Sequence, residues 1–385
     1  MVATTQPAIA WETYRREFPT LARTTYLNTC SLGPLSQRSR TAMERFMDTW
    51  EQYGASAWYQ TWLGECAGLR ANFEQLVHAP AGSVALAHSI SSALSVVASC
   101  YPYANRSKIV TSALDFPTIP YQWLVKPGVE VVILPSDDDI QVPLEGWAAA
   151  IDSRTALVAT SHVLFTSGYI QPITELAQLA HAVGAHLLVD GYQAAGQIPV
   201  DVAALDVDYY LSGGLKWLLG GPGIVELYVR PELIQQLEPT ITGWFAHNAM
   251  FSFDAEHFAY AGDARRFELG TPALAAVHAA KAGLDLLLEI GVPAVRAREV
   301  ELVTDLVDRA RSAGLALKLP QDIEDHAGIV MFPASDAPGA VKALKREGII
   351  VDHRPGHVRV SPYFYNTTQE NAHVIAALVP LLLGD

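Results

Sequence analysis

The 385-residue chain has only three cysteines, Cys30, Cys66 and Cys100, and they lie far apart. This spacing matches neither a zinc site nor a disulfide framework, so we expect no bound metal and a reducing cytoplasm. The sequence also lacks any run of the about 20 apolar residues that span a bilayer. Its first residues show no basic start followed by an apolar block, so no signal peptide is predicted.

Positive charge is also scarce. The chain has 26 Lys+Arg against 40 Asp+Glu, a formal net charge of −14. Nucleic acids and anionic membranes attract basic surfaces, so neither is an expected partner. Half of the residues are hydrophobic and 17% are charged, which predicts a large core rather than a disordered chain. At about 150 residues per domain, the length suggests two or three domains.

Short apolar runs alternate with amphipathic stretches from Val84 to about residue 230. The runs are SVALAHS, SKIVTSA, VEVVILPS, TALVATSH, AHLLVDG and VDYYLSGG. This alternation predicts an α/β fold with a mainly parallel central sheet that helices cover on both faces. Helical spacing marks residues 38–78 before this block. Residues 243–272, which follow it, show little periodicity, and such long stretches in compact domains tend to be functional.

The C-terminal part has a different pattern. From about residue 292, the spacing predicts helices around 293–313, 337–347 and 368–383, with apolar strands GIVMFP and HVRVSP between them. We therefore expect a large domain at residues 26–291 and a smaller α+β domain at 292–385. Residues 1–25 are expected to pack on the small domain.

Lys216 is one of only seven lysines and stands alone between residues 127 and 280. Nearly all its neighbours in VDYYLSGGLKWLLGGPGIVELYV are apolar or glycine. Burial disfavours the charge of a lysine, and a lysine with a lowered pKa is suited to forming a Schiff base. The alternative is a loop tip between two strands, with the ammonium group in water.

Two further features change the balance between these alternatives. Asp190 ends the strand AHLLVD, at the edge where open α/β sheets bind ligands, although it could simply cap a helix. Upstream, SVALAHSISSALSVVASC combines a strand, serines and a helix start, which can bind a phosphate. Serine is also a common helix cap, so this feature is weak alone. A lysine, a carboxylate and a phosphate site together are what pyridoxal phosphate needs.

The motifs resemble those of the fold-type-I pyridoxal-phosphate enzymes of aminotransferase class V. This group includes kynureninases, cysteine desulfurases and isopenicillin N epimerase-like proteins. The matching segments are YLNTCSLGPLS, HSISSALS, ALDFPTIPYQW, TSHVLFTSGYIQPI, LLVDGYQAAGQIPVDV, YYLSGGLKWLLGGPG, GWFAH, RRFELGTP and HVRVSPYFYNT. The resemblance implies pyridoxal 5'-phosphate as cofactor, an amino acid as substrate and a homodimer with shared active sites.

The resemblance also implies roles for individual residues. Lys216 would form the Schiff base and Asp190 would face the pyridine nitrogen. Arg359 would clamp the substrate α-carboxylate, a task suited to guanidinium, and Ser31 would approach the same carboxylate. Further cofactor contacts would come from Ile90 (through its backbone), Ser91, Phe116, His162, Gln193, Trp244 and, from the other subunit, Thr271.

Each of these residues also has a structural interpretation. Phe116 and Trp244 could be core aromatics. His162 could be a satisfied buried histidine and Ser31 an ordinary turn residue. Arg359 could belong to a surface ion pair.

The implied chemistry is an external aldimine followed by Cα deprotonation, with Lys216 as the base. We expect a lyase that cleaves at the β-carbon, kynureninase-like or C–S lyase-like. The alternatives are a class V aminotransferase with a keto-acid acceptor and a non-catalytic cofactor-binding protein. GIIVDHRPGHVRV contains no cysteine, which disfavours transfer of sulfur through an enzyme persulfide. Leu215 stands where kynureninases carry a tyrosine.

Overall fold

The structure is a computed structural model that describes residues 9–384. Its α-helices are α1 Trp11–Arg15, α2 Gln37–Tyr53, α3 Leu63–Leu76, α4 Ile90–Ser99, α5 Thr118–Leu124, α6 Leu144–Ala150, α7 Ile173–Ala182, α8 Pro231–Gln236, α9 Leu274–Ile290, α10 Val292–Ser312, α11 Ala337–Arg346 and α12 Thr368–Leu382. Its strands are β1 Thr25–Tyr26, β2 Val84–Ala87, β3 Lys108–Ser112, β4 Glu130–Leu134, β5 Thr155–Ser161, β6 His186–Asp190, β7 Tyr209–Gly213, β8 Val225–Val229, β9 Val330–Pro333, β10 Ile349–Ile350, β11 Asp352–Arg354 and β12 His357–Val360.

A seven-stranded sheet forms the centre of the molecule, in the order β2-β8-β7-β6-β5-β3-β4. Strand β8 runs antiparallel to both of its neighbours, and all the other neighbouring pairs are parallel. The predicted α/β fold with a mainly parallel sheet is therefore confirmed. Parallel strands need crossover connections, and the helices in these connections cover the sheet faces.

Both faces of the sheet are covered. One face packs against α3, α7 and α9 through a core that includes Phe73, Leu176 and Leu284. The other packs against α4 and α5 through a core that includes Leu94 and Ile119. Strands β3, β5, β7 and β8 are consequently buried along their whole length.

A smaller three-stranded antiparallel sheet, in the order β11-β12-β9, lies in the C-terminal part of the chain. It shares a separate core with α10, α11 and α12. The predicted boundary at residues 291 and 292 falls at Gly291, between α9 and α10. In the N-terminal segment, Arg15 pairs with Glu370 at 2.9 Å and Phe18 packs on Tyr365. The expected packing of residues 1–8 lies outside the described residues, and the domain boundaries stay a prediction.

The aperiodic stretch at 243–272 contains three short 3-10 turns, at Trp244–Ala246, Met250–Ser252 and Ala264–Phe267. Between residues 9 and 384, no helix is both long and apolar enough to cross a bilayer. Across the same part of the chain, no three His, Cys, Asp or Glu side chains are grouped in a way that could hold a metal ion.

Candidate active site

A cavity of about 480 Å³ opens at the carboxyl ends of the central parallel strands. Strand β5 contributes Ser161, β6 contributes Asp190, and the turn after β7 contributes Lys216. The C-terminal unit contributes Asp352 and Arg354. The cavity therefore lies where the large sheet meets the small one, at the edge where open α/β sheets bind ligands.

The turn after β7 is packed tightly enough to fix the backbone of Lys216. Gly33 donates its N–H to the carbonyl of Leu215 at 2.8 Å, and a Cβ at Gly33 would collide with the carbonyl oxygen of Lys216. Three residues later, Leu219 adopts a φ of 59°, which is uncommon for a residue other than glycine. Gly33 and the turn thus hold the backbone of Lys216 at the cavity wall.

The amine of Lys216 lies among aromatic rings. Its Nζ is 4.8 Å from the ring centroid of Tyr192 and 5.9 Å from that of Phe116. Burial lowers the pKa of Lys216 to about 8, and the nearby carboxylate of Asp190 opposes this shift. A larger share of the amine is therefore neutral at physiological pH than in an exposed lysine, as a nucleophile or a base requires.

Asp190 is 5% exposed and ends β6 at the cavity wall. Its Oδ1 accepts the backbone N–H of Tyr192 at 2.9 Å. Burial raises the pKa of Asp190 to about 6, while this N–H and the charge of Lys216 lower it. A cationic group placed in the cavity beside Asp190 would favour its ionised form.

The start of α4 forms another wall of the cavity, lined by Ser89, Ile90 and Ser91. Ser89 is the N-cap residue and forms a capping box with Ser92. The hydroxyls of Ser91 and Thr118 lie 2.6 Å apart, and both residues line the cavity. Free N–H groups at a helix start, together with hydroxyls, suit a phosphate group.

Phe116, Gln193 and His162 have different surroundings. Phe116 lines the cavity and is 45% exposed. Gln193 also lines it, but its amide donates to the carbonyl of Cys30 at 3.0 Å and accepts from Trp217 at 2.7 Å. His162 is buried, with Nδ1 3.0 Å from the hydroxyl of Tyr210, and burial lowers its pKa to about 4. It is not among the lining residues.

Trp244 and Thr271 are not part of the cavity wall formed by one chain. Trp244 is 39% exposed and lines a separate depression with Phe253 and Phe258. Thr271 accepts a hydrogen bond through its carbonyl from Nε2 of His88 at 3.1 Å, and His88 does line the cavity. The contacts predicted for Trp244 and Thr271 stay predictions.

Arg359 is fully buried on β12 and does not reach the cavity. Its Nη2 donates to Ser31 Oγ at 2.6 Å and to Asp352 Oδ2 at 3.0 Å, and its Nη1 donates to the carbonyl of Phe165 at 3.1 Å. Ser31 lines the cavity, as do Asp352, Arg354 and Phe165. Arg359, which the sequence predicts to bind the substrate carboxylate, therefore already binds a carboxylate of the protein itself, that of Asp352. Its predicted contact with the substrate stays a prediction.

Several lining residues are not among those the sequence predicts: Ser89, Thr118, Phe165, Tyr192, Asp352 and Arg354. Tyr192 lies between the predicted residues Asp190 and Gln193 in DGYQ, and this position could have indicated that it lines the site. Asp352 and Arg354 reach the site because β11 pairs with β12 in a register that sets Asp352 opposite Arg359. The dipeptide Pro355-Gly356 between these strands was the available signal of that register, because a two-residue turn fixes the pairing of a hairpin.

The cavity fits pyridoxal 5'-phosphate. An amine with a lowered pKa, a buried carboxyl group and a helix start with two serines all line one space. These are the groups that would bind the aldehyde, the ring nitrogen and the phosphate, respectively.

The family model described as aminotransferase class-V matches residues 52–377. The chain belongs to this family. Membership confirms the predicted family of pyridoxal-phosphate enzymes and shows that the protein is an enzyme of that family.

Curated relatives match over nearly the whole chain. The chain is 36% identical to a Bacillus subtilis protein called uncharacterized aminotransferase YcbU, over 94% of this chain and 96% of the relative. It is 29% identical to a kynureninase of Bacillus thuringiensis, over 93% of this chain and 88% of the relative. Among solved structures, the apo cysteine desulfurase of Thermococcus onnurineus NA1 superposes with a TM-score of 0.88 at 22% identity, covering 100% of both chains.

Proposed function

We propose that the protein is a pyridoxal-phosphate-dependent lyase that removes the Cα proton of an L-amino acid and cleaves a bond at its β-carbon. One observation carries the proposal: the amine of Lys216 and the carboxyl of Asp190 line the same cavity, beside a helix start suited to phosphate. The cofactor, when bound, supplies an electron sink for the charge left at Cα.

The residues around the cavity have separate tasks in this proposal. Lys216 accepts the Cα proton at Nζ, since its lowered pKa leaves part of the amine neutral. Asp190 would hold the ring nitrogen of the cofactor in its protonated form through its buried negative charge. Phe116, which lines the cavity, would pack against the cofactor ring. Arg354, which lines the cavity, binds the substrate carboxylate through its guanidinium group, whose planar geometry suits it. Arg359 is buried behind the cavity wall, where it holds Ser31 and Asp352 and adds a second positive charge.

Cleavage at the β-carbon is supported by the kynureninase relative and by the cavity wall. The relative aligns with 93% of this chain. Phe165 and Tyr192 give the cavity an apolar, aromatic side that can hold a substrate side chain. Residues 348–358 contain no cysteine, so the proposed lyase does not form a persulfide on that loop.

A class V aminotransferase is the second candidate. The relative at 36% identity is named as an aminotransferase. Such an enzyme would need a keto acid as the acceptor of the amino group, and it would leave the carbon skeleton of its donor intact.

A product assay separates the two candidates. The holoenzyme is incubated with kynurenine, cysteine, cystine and cysteine sulfoxides, each with and without 2-oxoglutarate and with and without pyruvate. Release of a cleaved product without a keto acid supports the lyase. Strict dependence on a keto acid contradicts it and supports the transferase. An unchanged cofactor spectrum with every amino acid would contradict both.

We also propose a homodimer. The segment from residue 241 to 258 exposes Ile241, Trp244, Phe251, Phe253 and Phe258, and Phe253 is 76% exposed. Clusters of exposed aromatic residues commonly mark protein–protein interfaces. Sedimentation equilibrium tests the proposal, with Phe253→Ser expected to weaken the dimer. A fully active monomer would contradict the shared active sites.

A further inference from the structure

Four residues form a polar cluster at the small-domain side of the cavity: Ser31, Asp352, Arg354 and Arg359. One oxygen, Oδ2 of Asp352, accepts from all three partners, from Ser31 Oγ at 2.7 Å, Arg354 Nη1 at 2.7 Å and Arg359 Nη2 at 3.0 Å. Its other oxygen accepts the N–H of His353 at 2.7 Å. Although burial acts to raise it, these donors and the two arginine charges lower the pKa of Asp352 to about 2.

The two arginines of the cluster differ in their access to the cavity. Arg354 lines the cavity and stacks over Phe165, with its guanidinium carbon 5.8 Å from the ring centroid. Arg359 is 0% exposed, and its Nη2 donates to Ser31 and Asp352, which both line the cavity. Within the described part of the chain, Nε of Arg359 has no hydrogen-bond partner. The two arginines of the cluster could therefore bind an anion, but the carboxylate of Asp352 already pairs with both of them.

The charges of the cluster decide how many carboxylates it can take. Two guanidinium groups and one carboxylate leave one net positive charge, which a single substrate carboxylate neutralises. A second carboxylate in this partly buried place would lack a partner, and unpaired charge is costly there. We propose that Asp352 is a specificity-determining residue that restricts the enzyme to amino acids with one carboxylate.

This inference rests on the proposed function and narrows it. The expected substrates are L-amino acids with an uncharged side chain, which would lie against Phe165 and Tyr192. Aspartate and glutamate would bind poorly. Among keto acids, 2-oxoglutarate would be a poor acceptor for the same reason, whereas a monocarboxylic keto acid would fit.

The test compares two amino acids that differ by one charge and little else in shape. L-Asparagine and L-aspartate are titrated into the holoenzyme, and dissociation constants are taken from the visible absorbance of the cofactor and, independently, from calorimetry. The wild type should bind asparagine more tightly. In Asp352→Asn, the preference for asparagine over aspartate should fall about tenfold, because a second positive charge is released.

Three further variants make the result specific. Asp308→Asn removes an exposed carboxylate on α10 and should leave the preference unchanged. Asp352→Glu keeps the charge and should retain the preference for asparagine. Arg354→Met removes the remaining net charge, so affinity for asparagine should fall about tenfold; this variant keeps the test decisive even if Asp352→Asn does not fold.

The outcomes separate this inference from the proposed function. If both amino acids change the wild-type spectrum but Asp352→Asn keeps the wild-type preference, or Arg354→Met keeps the wild-type affinity, the inference about Asp352 is overturned and the lyase proposal stands. If no amino acid changes the wild-type spectrum or gives a heat of binding, both are overturned.

Discussion

The amine of Lys216 and the carboxyl of Asp190 share one cavity and act on each other's pKa. Burial moves the two pKa values toward each other, to about 8 for Lys216 and about 6 for Asp190, and the attraction between the two charges opposes both shifts. Without this pairing, burial would leave both groups neutral over a wider pH range. The site therefore holds an amine that can act as a base, Lys216, beside a carboxylate that can act as a counter-ion, Asp190.

Replacing Lys216 by alanine should abolish the visible absorbance that arises from the covalent link between cofactor and protein. Lys216 is the lysine that lines the cavity together with Asp190. Absorbance spectra after incubation with pyridoxal phosphate and dialysis measure the effect. Lys342→Ala removes an exposed lysine on α11 and serves as the control. A wild-type spectrum in Lys216→Ala would refute the assignment.

The apoprotein should capture pyridoxal phosphate with a pH dependence set by Lys216. Only the neutral amine attacks the aldehyde, so the capture rate should rise with pH and reach half its maximum near pH 8, where the buried amine has its pKa. Stopped-flow absorbance measures this rate. A midpoint near the usual lysine value of 10.5 would show that the amine is solvated.

Asp190→Asn should move that midpoint to lower pH. The carboxylate raises the pKa of Lys216, so removing it lets burial lower the pKa further. The same variant should retain pyridoxal phosphate less well, because the ring nitrogen loses its counter-ion. Dialysis followed by a cofactor assay measures retention. A midpoint that stays at the wild-type pH would mean that the two charges do not interact.

Glu226 should make the stability of the protein fall with rising pH. It is fully buried on β8, neither carboxyl oxygen has a hydrogen-bond partner within residues 9–384, and burial raises its pKa to about 8. Between pH 4.5 and 8 the folded state holds a proton that the unfolded state releases. The contribution of Glu226 to the free energy of unfolding should therefore drop by about 1.4 kcal/mol per pH unit in this window.

Denaturant unfolding of the apoprotein at several pH values tests this expectation. Glu226→Gln should flatten the dependence, since glutamine does not titrate. Glu51→Gln changes an exposed glutamate on α2 and should leave the slope as in the wild type. Equal slopes in Glu226→Gln and the wild type would contradict the buried, protonated state.

Arg359→Met should reduce both stability and substrate binding. The side chain is fully buried and holds Asp352, Ser31 and the carbonyl of Phe165. Removing one partner of a buried ion pair typically costs about 3 kcal/mol, although Arg354 remains to pair with Asp352 and reduces the loss. Denaturant unfolding and amino-acid titration measure the two effects. A variant as stable as the wild type would show that the pair contributes little.

Most elements could be predicted because their signals are local. The run TALVATSH corresponds to Thr155–Ser161 and AHLLVDG to His186–Asp190, since buried parallel strands are continuously apolar. The continuous helical spacing at residues 38–78 instead resolves into α2 and α3. Gly54, with a φ of 51°, ends the first helix, because a left-handed backbone cannot continue it.

By itself, the sequence determined the α/β class, the family, and Lys216 and Asp190 as the central pair, because apolar periodicity and short motifs are properties of neighbouring residues. Only the tertiary structure decided that the carboxylate of Asp352 binds the guanidinium group of Arg359 and that Arg354 lines the cavity. Those relationships depend on the packing that brings the β11–β12 hairpin to the cavity wall and on the approach of Ser31 from the other end of the chain. Contacts between residues 328 positions apart are set by packing, and no local pattern encodes them.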